Sequence, residues 1–307
     1  MNDGRVNWAG SFPAIMTPFT REGALDETLL RENIEMTIRE GAHGILVGGH
    51  NGEAHLSTDA ERKRTWEIGV EVVRRRIPLL VGTGGIGTDH VIDLTSYAER
   101  LGVDGVMIEM PYFMTPNPAD ILDHYRAISD AVDVPIMVYN HPKRTGVGMT
   151  PAMLVELAAI RHVVAAKDST GDFVHVLECL RVAADRVRFF IGPARLYAFP
   201  AVAMGAAGFV DGLPQVLGDR VSRLYQNIIA GDMDSARRGQ WELFEAGELL
   251  YKAAGTWPAT AKDAMRMQGR PGGWPRRPLR PMADSDQRRL REGLSRLGVL
   301  DPEQVAT

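Results

Sequence analysis

Short apolar runs alternate with longer amphipathic segments along most of the chain. The runs at Ala14–Thr17, Gly44–Gly48, Leu79–Gly82, Gly105–Glu109, Ile136–Tyr139, Val163–Lys167, Arg188–Gly192 and Gly208–Gly212 read as strands. Between them, apolar residues recur at helical spacing near 26–40, 57–75, 89–101, 118–131, 150–158, 172–184, 194–204 and 216–230. Helix start signals stand at Ser57 with Glu61, at Thr88, and at Thr150 with Pro151 behind it. The strand runs are almost continuously apolar, so both faces are buried, which implies a parallel sheet flanked by helices. Eight strand–helix units are the count of a TIM (β/α)8 barrel. A doubly wound sheet gives a similar alternation, and periodicity alone leaves it open. Past residue 231 the pattern is helical only: Asp234–Ala254, Pro258–Gln268 and, after the stretch RPGGWPRRPLRP, a helix near 284–297. The expected division is a barrel over 1–230 and a C-terminal helical extension over 231–307.

Composition narrows the function classes. The 307 residues carry a formal charge of −4, with 45% hydrophobic and 24% charged. A mild acidic excess argues against bulk attraction to nucleic acid or anionic lipid. The single cysteine, Cys179, permits no intramolecular disulfide and no cysteine-rich zinc site. The N-terminal segment lacks the charged-then-apolar order of a signal peptide, and no stretch is apolar for long enough to span a membrane. The expectation is a cytoplasmic protein.

In a barrel the chemistry sits where the strands end. The only lysines are Lys63, Lys143, Lys167, Lys252 and Lys262. Lys63, Lys252 and Lys262 fall in charged helical segments and Lys143 in a Pro-containing loop, whereas Lys167 ends an apolar strand. An ammonium buried there tends to lose its proton and become a nucleophile that forms a Schiff base with a carbonyl. The other reading is a structural lysine paired with Asp168. Tyr139, ending the fifth run, is either a proton relay beside that amine or a barrel-mouth aromatic. Arg144, in the next loop, either clamps a substrate carboxylate or forms a surface ion pair.

The second run ends in GGHNGE, where glycines let backbone N–H groups approach an anion beside His50 and Asn51. His50, Glu53 and His55 are also the residues a metal-dependent reading would use, although they lack helical zinc-motif spacing. Gly82, Gly84 and Gly87 spell G-x-G-x-x-G, but in the third unit, where a dinucleotide fingerprint does not belong. The remaining histidines read as structural or surface residues, and Cys179 as a packing residue.

Several motifs in order make the chain resemble the dihydrodipicolinate synthase / N-acetylneuraminate lyase family from about Gly10 to Leu279. They are TPF at Thr17–Phe19, G-x-x-G-E at Gly49–Glu53 and PY at Pro111–Tyr112. With them stand YN-x-P-x-R-TG at Tyr139–Gly146 and K-D-x-TG at Lys167–Gly171. The resemblance implies a TIM barrel lyase of the class I aldolase type, with Lys167 as the Schiff-base lysine and Tyr139 as the proton-relay tyrosine. It implies pyruvate or another 2-oxo acid as substrate, with its carboxylate on the Gly49–Glu53 loop at His50 and Asn51. It further implies that the Val210 carbonyl lines the site, that Arg144 holds the carboxylate of an aldehyde partner, and that the protein is a homotetramer, a dimer of dimers. Two departures bear on substrate. His50 replaces a relay threonine, with an imidazole that ordinarily titrates near neutrality. Phe113 stands where the family has a second relay tyrosine. Three readings follow: a Schiff-base lyase, which includes the synthase itself; a metal-dependent barrel aldolase; and a 2-oxo-acid binding protein that has lost turnover.

Overall fold

The computed structural model describes residues 6–253 and 255–300. Eight strands, β1 (Gly10–Pro13), β2 (Ile45–Val47), β3 (Leu79–Gly82), β4 (Gly105–Glu109), β5 (Ile136–Asn140), β6 (Val163–Asp168), β7 (Arg188–Ile191) and β8 (Gly208–Asp211), form one parallel sheet. The sheet runs β1-β8-β7-β6-β5-β4-β3-β2, and a bridge between Ala14 and Leu46 joins its two edges into a TIM barrel.

Each strand buries both faces, which is why the runs looked continuous. Phe12, Leu46, Leu80, Met107, Met137, Ala165, Phe190 and Val210, one from each strand, point inward and fill the barrel. Their neighbours, such as Val47, Val81, Ile108, Val138 and Phe209, point outward into the helical layer. Burying a side chain of this size stabilises by about 1.5–3 kcal/mol, and here both faces contribute.

The surrounding helices are α1 (Glu27–Arg39), α2 (Asp59–Val73), α3 (Thr88–Leu101), α4 (Pro118–Ala131), α5 (Pro142–Thr145), α6 (Pro151–Ala158), α7 (Phe173–Ala183) and α8 (Ala194–Ala203). Then come α9 (Pro214–Leu217), α10 (Arg220–Ile229), α11 (Met233–Lys252), α12 (Trp257–Met267) and α13 (Asp284–Arg296). The expected end of the α11 segment at Ala254, and residues 301–307 of the extension, lie outside the described residues. No helix among the described residues is long and apolar enough to cross a membrane.

Several local expectations move. The first strand is Gly10–Pro13, not Ala14–Thr17, because Gly10 must pair with Gly208: a Cβ on Gly208 would fall 2.0 Å from the Gly10 carbonyl oxygen. Downstream, Met16 satisfies its backbone through side chains, its N–H on Gln215 Oε1 at 3.0 Å and its carbonyl on Asn33 Nδ2 at 2.9 Å. Thr58, not Ser57, makes the capping box with Glu61, and Gly87 rather than Thr88 is the residue that caps α3. Thr150 caps α6 with Pro151 in its first turn. Gly218, at φ 60°, splits the helix expected over 216–230 into α9 and α10.

Candidate active site

The period of two that points Met107, Met137 and Ala165 into the barrel places Glu109, Tyr139 and Lys167 one layer higher. They stand side by side on adjacent strands, Glu109 in register with Tyr139 and Tyr139 with Lys167. Gly48, Gly82, Gly192 and Gly212 hold the corresponding positions, two residues past Leu46, Leu80, Phe190 and Val210. Three large polar side chains therefore face a space that the other strands leave open.

That space has two lobes. One, about 330 Å³, is lined by Lys167, Ser169, Gly192, Val210 and Asp211 among others. The second, about 270 Å³, is lined by Arg62, Gly84, Glu109 and Tyr112. His50, Tyr139, His141 and Arg144 line both.

Lys167 is buried, with its Nζ 4.1 Å from the centroid of the Tyr139 ring. Burial lowers its pKa to about 8, while Asp211 and Glu109 hold it up against that effect. A fraction of the amine is consequently unprotonated near neutral pH. Asp168, the alternative partner, is engaged elsewhere. Its Oδ2 accepts from Asn140 Nδ2 at 2.6 Å and lies 3.2 Å from His175 Nε2. Its Oδ1 accepts from the N–H and hydroxyl of Thr170 at 3.0 and 2.6 Å. His175, expected to be an incidental histidine, is raised to about 10, by Asp168 first and Cys179 second. Cys179 is free and buried.

Gly192 fixes how the lysine stem passes. A Cβ there would lie 2.9 Å from the Val210 carbonyl oxygen, 3.2 Å from Ser169 Oγ and 3.3 Å from Lys167 Cε. Val210 thus brings its carbonyl to the lysine side of the cleft. Tyr139 is buried, and burial pushes its pKa up against the opposing effect of nearby Ser169.

His50–Gly52 forms a single tight turn. Asn51 Oδ1 accepts from Trp257 Nε1 at 3.0 Å, and the Trp257 ring stacks on Tyr251 at 4.4 Å. His50 does not titrate near neutrality as its residue type suggests. Burial first, then the neighbouring Arg144, His55 and His141, lower it to about 3, so it is a neutral imidazole. Arg144 stands exposed on α5 at the rim of both lobes. Phe113 is 87% exposed, at a φ of 72°, and lines neither lobe.

Glu53 turns away from the cleft. Fully buried, it accepts from Lys262 Nζ on Oε1 at 2.5 Å and from the Arg276 N–H on Oε2 at 2.8 Å. Both oxygens are committed, so His50, Glu53 and His55 do not converge as a ligand set. Lys262 is therefore buried, although its helical segment is charged. It lies 4.5 Å from the Phe19 ring centroid, inside the contact between α12 and the turn.

Glu109, Arg62, Ser169 and Trp257 also line the cleft, beyond the residues expected from sequence. Glu109 carried a usable signal: like Lys167, it is the charged residue ending an apolar strand. Trp257 and Lys262 carried none, because their partners lie 206 and 209 residues away.

Comparison with known proteins agrees with this architecture. The model of the Dihydrodipicolinate synthetase family matches residues 7–297. A 4-hydroxy-tetrahydrodipicolinate synthase of Pelobacter propionicus is 34% identical over 291 residues, covering 95% of this chain and 99% of that protein. An uncharacterized DapA-like lyase of Rhizobium meliloti is 33% identical over 296 residues, covering 96% and 98%. The crystal structure of the chloride-inhibited dihydrodipicolinate synthase from Acinetobacter baumannii, complexed with pyruvate, superposes with a TM-score of 0.90 at 28% identity, covering 95% and 99%. A barrel of this order with these sequence relatives leaves one assignment: the chain belongs to the dihydrodipicolinate synthetase family and is a lyase of that family.

Proposed function

We propose that the protein forms a Schiff base between Lys167 and the ketone of pyruvate or a related 2-oxo acid, and then makes or breaks a bond beyond the adjacent carbon. The observation that carries this reading is Lys167 itself: buried, lowered to about 8, and 4.1 Å from the Tyr139 ring centroid. Its unprotonated amine attacks the ketone carbon, and the resulting carbinolamine loses water as Tyr139 hands a proton to the departing hydroxyl. The iminium then accepts the electron pair of the bond that breaks next. Within the His50–Gly52 turn, hydrogen bonds use the N–H groups of Gly52 and Glu53, which leaves those of His50 and Asn51 for the substrate carboxylate. Neutral His50 adds no charge there, Val210 supplies a carbonyl, and Arg144 at the rim is placed to meet a second anionic group.

The reading stops at this class rather than at the synthase reaction named for several relatives, since neither Phe113 nor His50 carries a relay hydroxyl. The metal-dependent alternative loses support, because Glu53 is spent on Lys262. We assign the protein to the cytoplasm, on its single cysteine, and to a homotetrameric dimer of dimers, with exposed Phe113 and Met114 as apolar contact surface. Borohydride added with pyruvate tests the chemistry: a reduced adduct on the peptide bearing Lys167 supports it, and an unmodified Lys167 ends it.

A further inference from the structure

The second lobe has no part in imine formation, yet it is built around a carboxyl group. Glu109 ends β4 in register with Tyr139, so Lys167, Tyr139 and Glu109 make one row across three strands. At the usual strand spacing the outer members of that row have Cα atoms about 10 Å apart. Lys167 leans along the row, its Nζ over the Tyr139 ring, which carries anything bonded to that nitrogen toward Glu109. Gly82 and Gly84 hold the space open. A Cβ on Gly84 would fall 2.3 Å from Glu109 Oε2. Arg62 faces the same lobe, its Nη2 donating to the carbonyls of Gly82 at 3.0 Å and Gly84 at 2.9 Å. Its Nε is buried without a hydrogen-bond partner. A carboxyl and a guanidinium held by backbone, around 270 Å³ of open space, form a polar receptacle continuous with the lysine site.

We propose that Glu109 is a second acid–base group of this cleft, serving the hydroxyl that a 4-hydroxy-2-oxo acid carries two carbons from its ketone. This rests on the Schiff-base reading. With C2 of such an acid bonded to Lys167 Nζ and its carboxylate at the His50–Asn51 turn, the chain beyond C3 runs past Tyr139 into the Glu109 lobe. In cleavage, the Glu109 carboxylate takes the C4 hydroxyl proton. The O–H electron pair becomes the aldehyde carbonyl bond, the C3–C4 bond breaks, and its electrons move through C3 to the iminium nitrogen. An aldehyde, a neutral enamine and protonated Glu109 result. The same proton passes to C3, regenerating the iminium and the carboxylate, and water hydrolyses the imine to pyruvate and free Lys167.

The electrostatics of the lobe fit this role. Burial raises the pKa of Glu109, against the pull of Arg62 and Lys167, so it holds and releases a proton closer to neutrality than an ordinary glutamate. The flanking imidazoles of His50 and His141, lowered to about 3 and about 4, are poor proton acceptors there.

The test compares wild type with Glu109→Gln, which keeps shape and removes the proton. Two measurements are made: borohydride trapping of pyruvate, and pyruvate release from 4-hydroxy-2-oxopentanoate, 4-hydroxy-2-oxoglutarate and a 3-deoxy-2-oxohexonate. The expected result is trapping within about threefold of wild type and release lowered at least about 100-fold, the size of a lost general acid–base group. Release within threefold of wild type overturns the proposal. So does equal loss of trapping and release, which marks Glu109 as structural. So does a wild type that traps pyruvate but cleaves none of the three acids. A wild type that traps no pyruvate at all overturns the Schiff-base reading first.

Discussion

Lys262 and Glu53 form an ion pair at 2.5 Å with both side chains fully buried, one from α12 and one from the turn beside the cleft. Desolvating two charges offsets most of their attraction, so the pair adds little net stability over an apolar pair of the same volume. Removing one partner is different, because it strands a charge. Lys262→Met is expected to destabilise the protein by about 3–5 kcal/mol, and the double change Lys262→Met with Glu53→Gln by less. Denaturant unfolding of the three proteins measures this. Equal losses in the single and double variants would contradict the account.

Lys167 should announce its pKa in the rate of imine formation. The reactive amine is the unprotonated form, so trapping with pyruvate should rise with pH and level off above about 8, not above 10.5. His50, at about 3, should add no inflection between pH 5 and 7. A midpoint near the ordinary lysine value would show that burial does not act as described.

Gly192 is the position where an added methyl group should hurt both chemistry and stability. A Cβ there meets the Val210 backbone carbonyl at 2.9 Å and Lys167 Cε at 3.3 Å, so β8 must give way and the lysine stem with it. Misplacement of this order costs up to about 100-fold in rate. Gly192→Ala should therefore trap pyruvate about 10–100-fold more slowly and unfold at a lower temperature than the wild type. Unaltered trapping would mean that the stem has room to spare.

His175 supplies a pH-dependent element of stability. Its folded pKa, about 10, lies above its ordinary 6.5, so the folded state binds the proton more tightly. The contribution of the His175–Asp168 pair is complete below pH 6.5 and is lost as pH rises through about 10. His175→Gln should cost about 1.5–3 kcal/mol at pH 6 and less at pH 10. The imidazole should still be protonated at pH 8 by NMR, and an ordinary titration near 6.5 would refute the assignment.

How much of this was legible depended on where each signal lay. β3, β4 and the start of β6 could be read to the residue, because a strand buried on both faces leaves an unbroken apolar run. β1 could not: its place is set by the fit of Gly10 against Gly208, a contact between the first and the eighth strand. Lys167 stood out as the charge ending an apolar strand, and the same rule applied to Gly105–Glu109 would have named Glu109. Lys262 could not be picked out, because a helix with charged neighbours looks solvated until its partner is known. Asp168 sits next to Lys167 in sequence but points to the other side of the strand, toward His175. Neighbours in a strand are the wrong place to look for partners.

The turn that carries His50 and Asn51 is anchored from behind by Trp257 on Asn51 and Lys262 on Glu53. Both anchors come after all eight strands have been laid down. During synthesis Lys167 exists long before this turn has a back wall, so the cleft cannot be complete until the chain has been made through Lys262. Engineers who trim this protein to its barrel would keep the lysine and discard the scaffolding that shapes what the lysine meets.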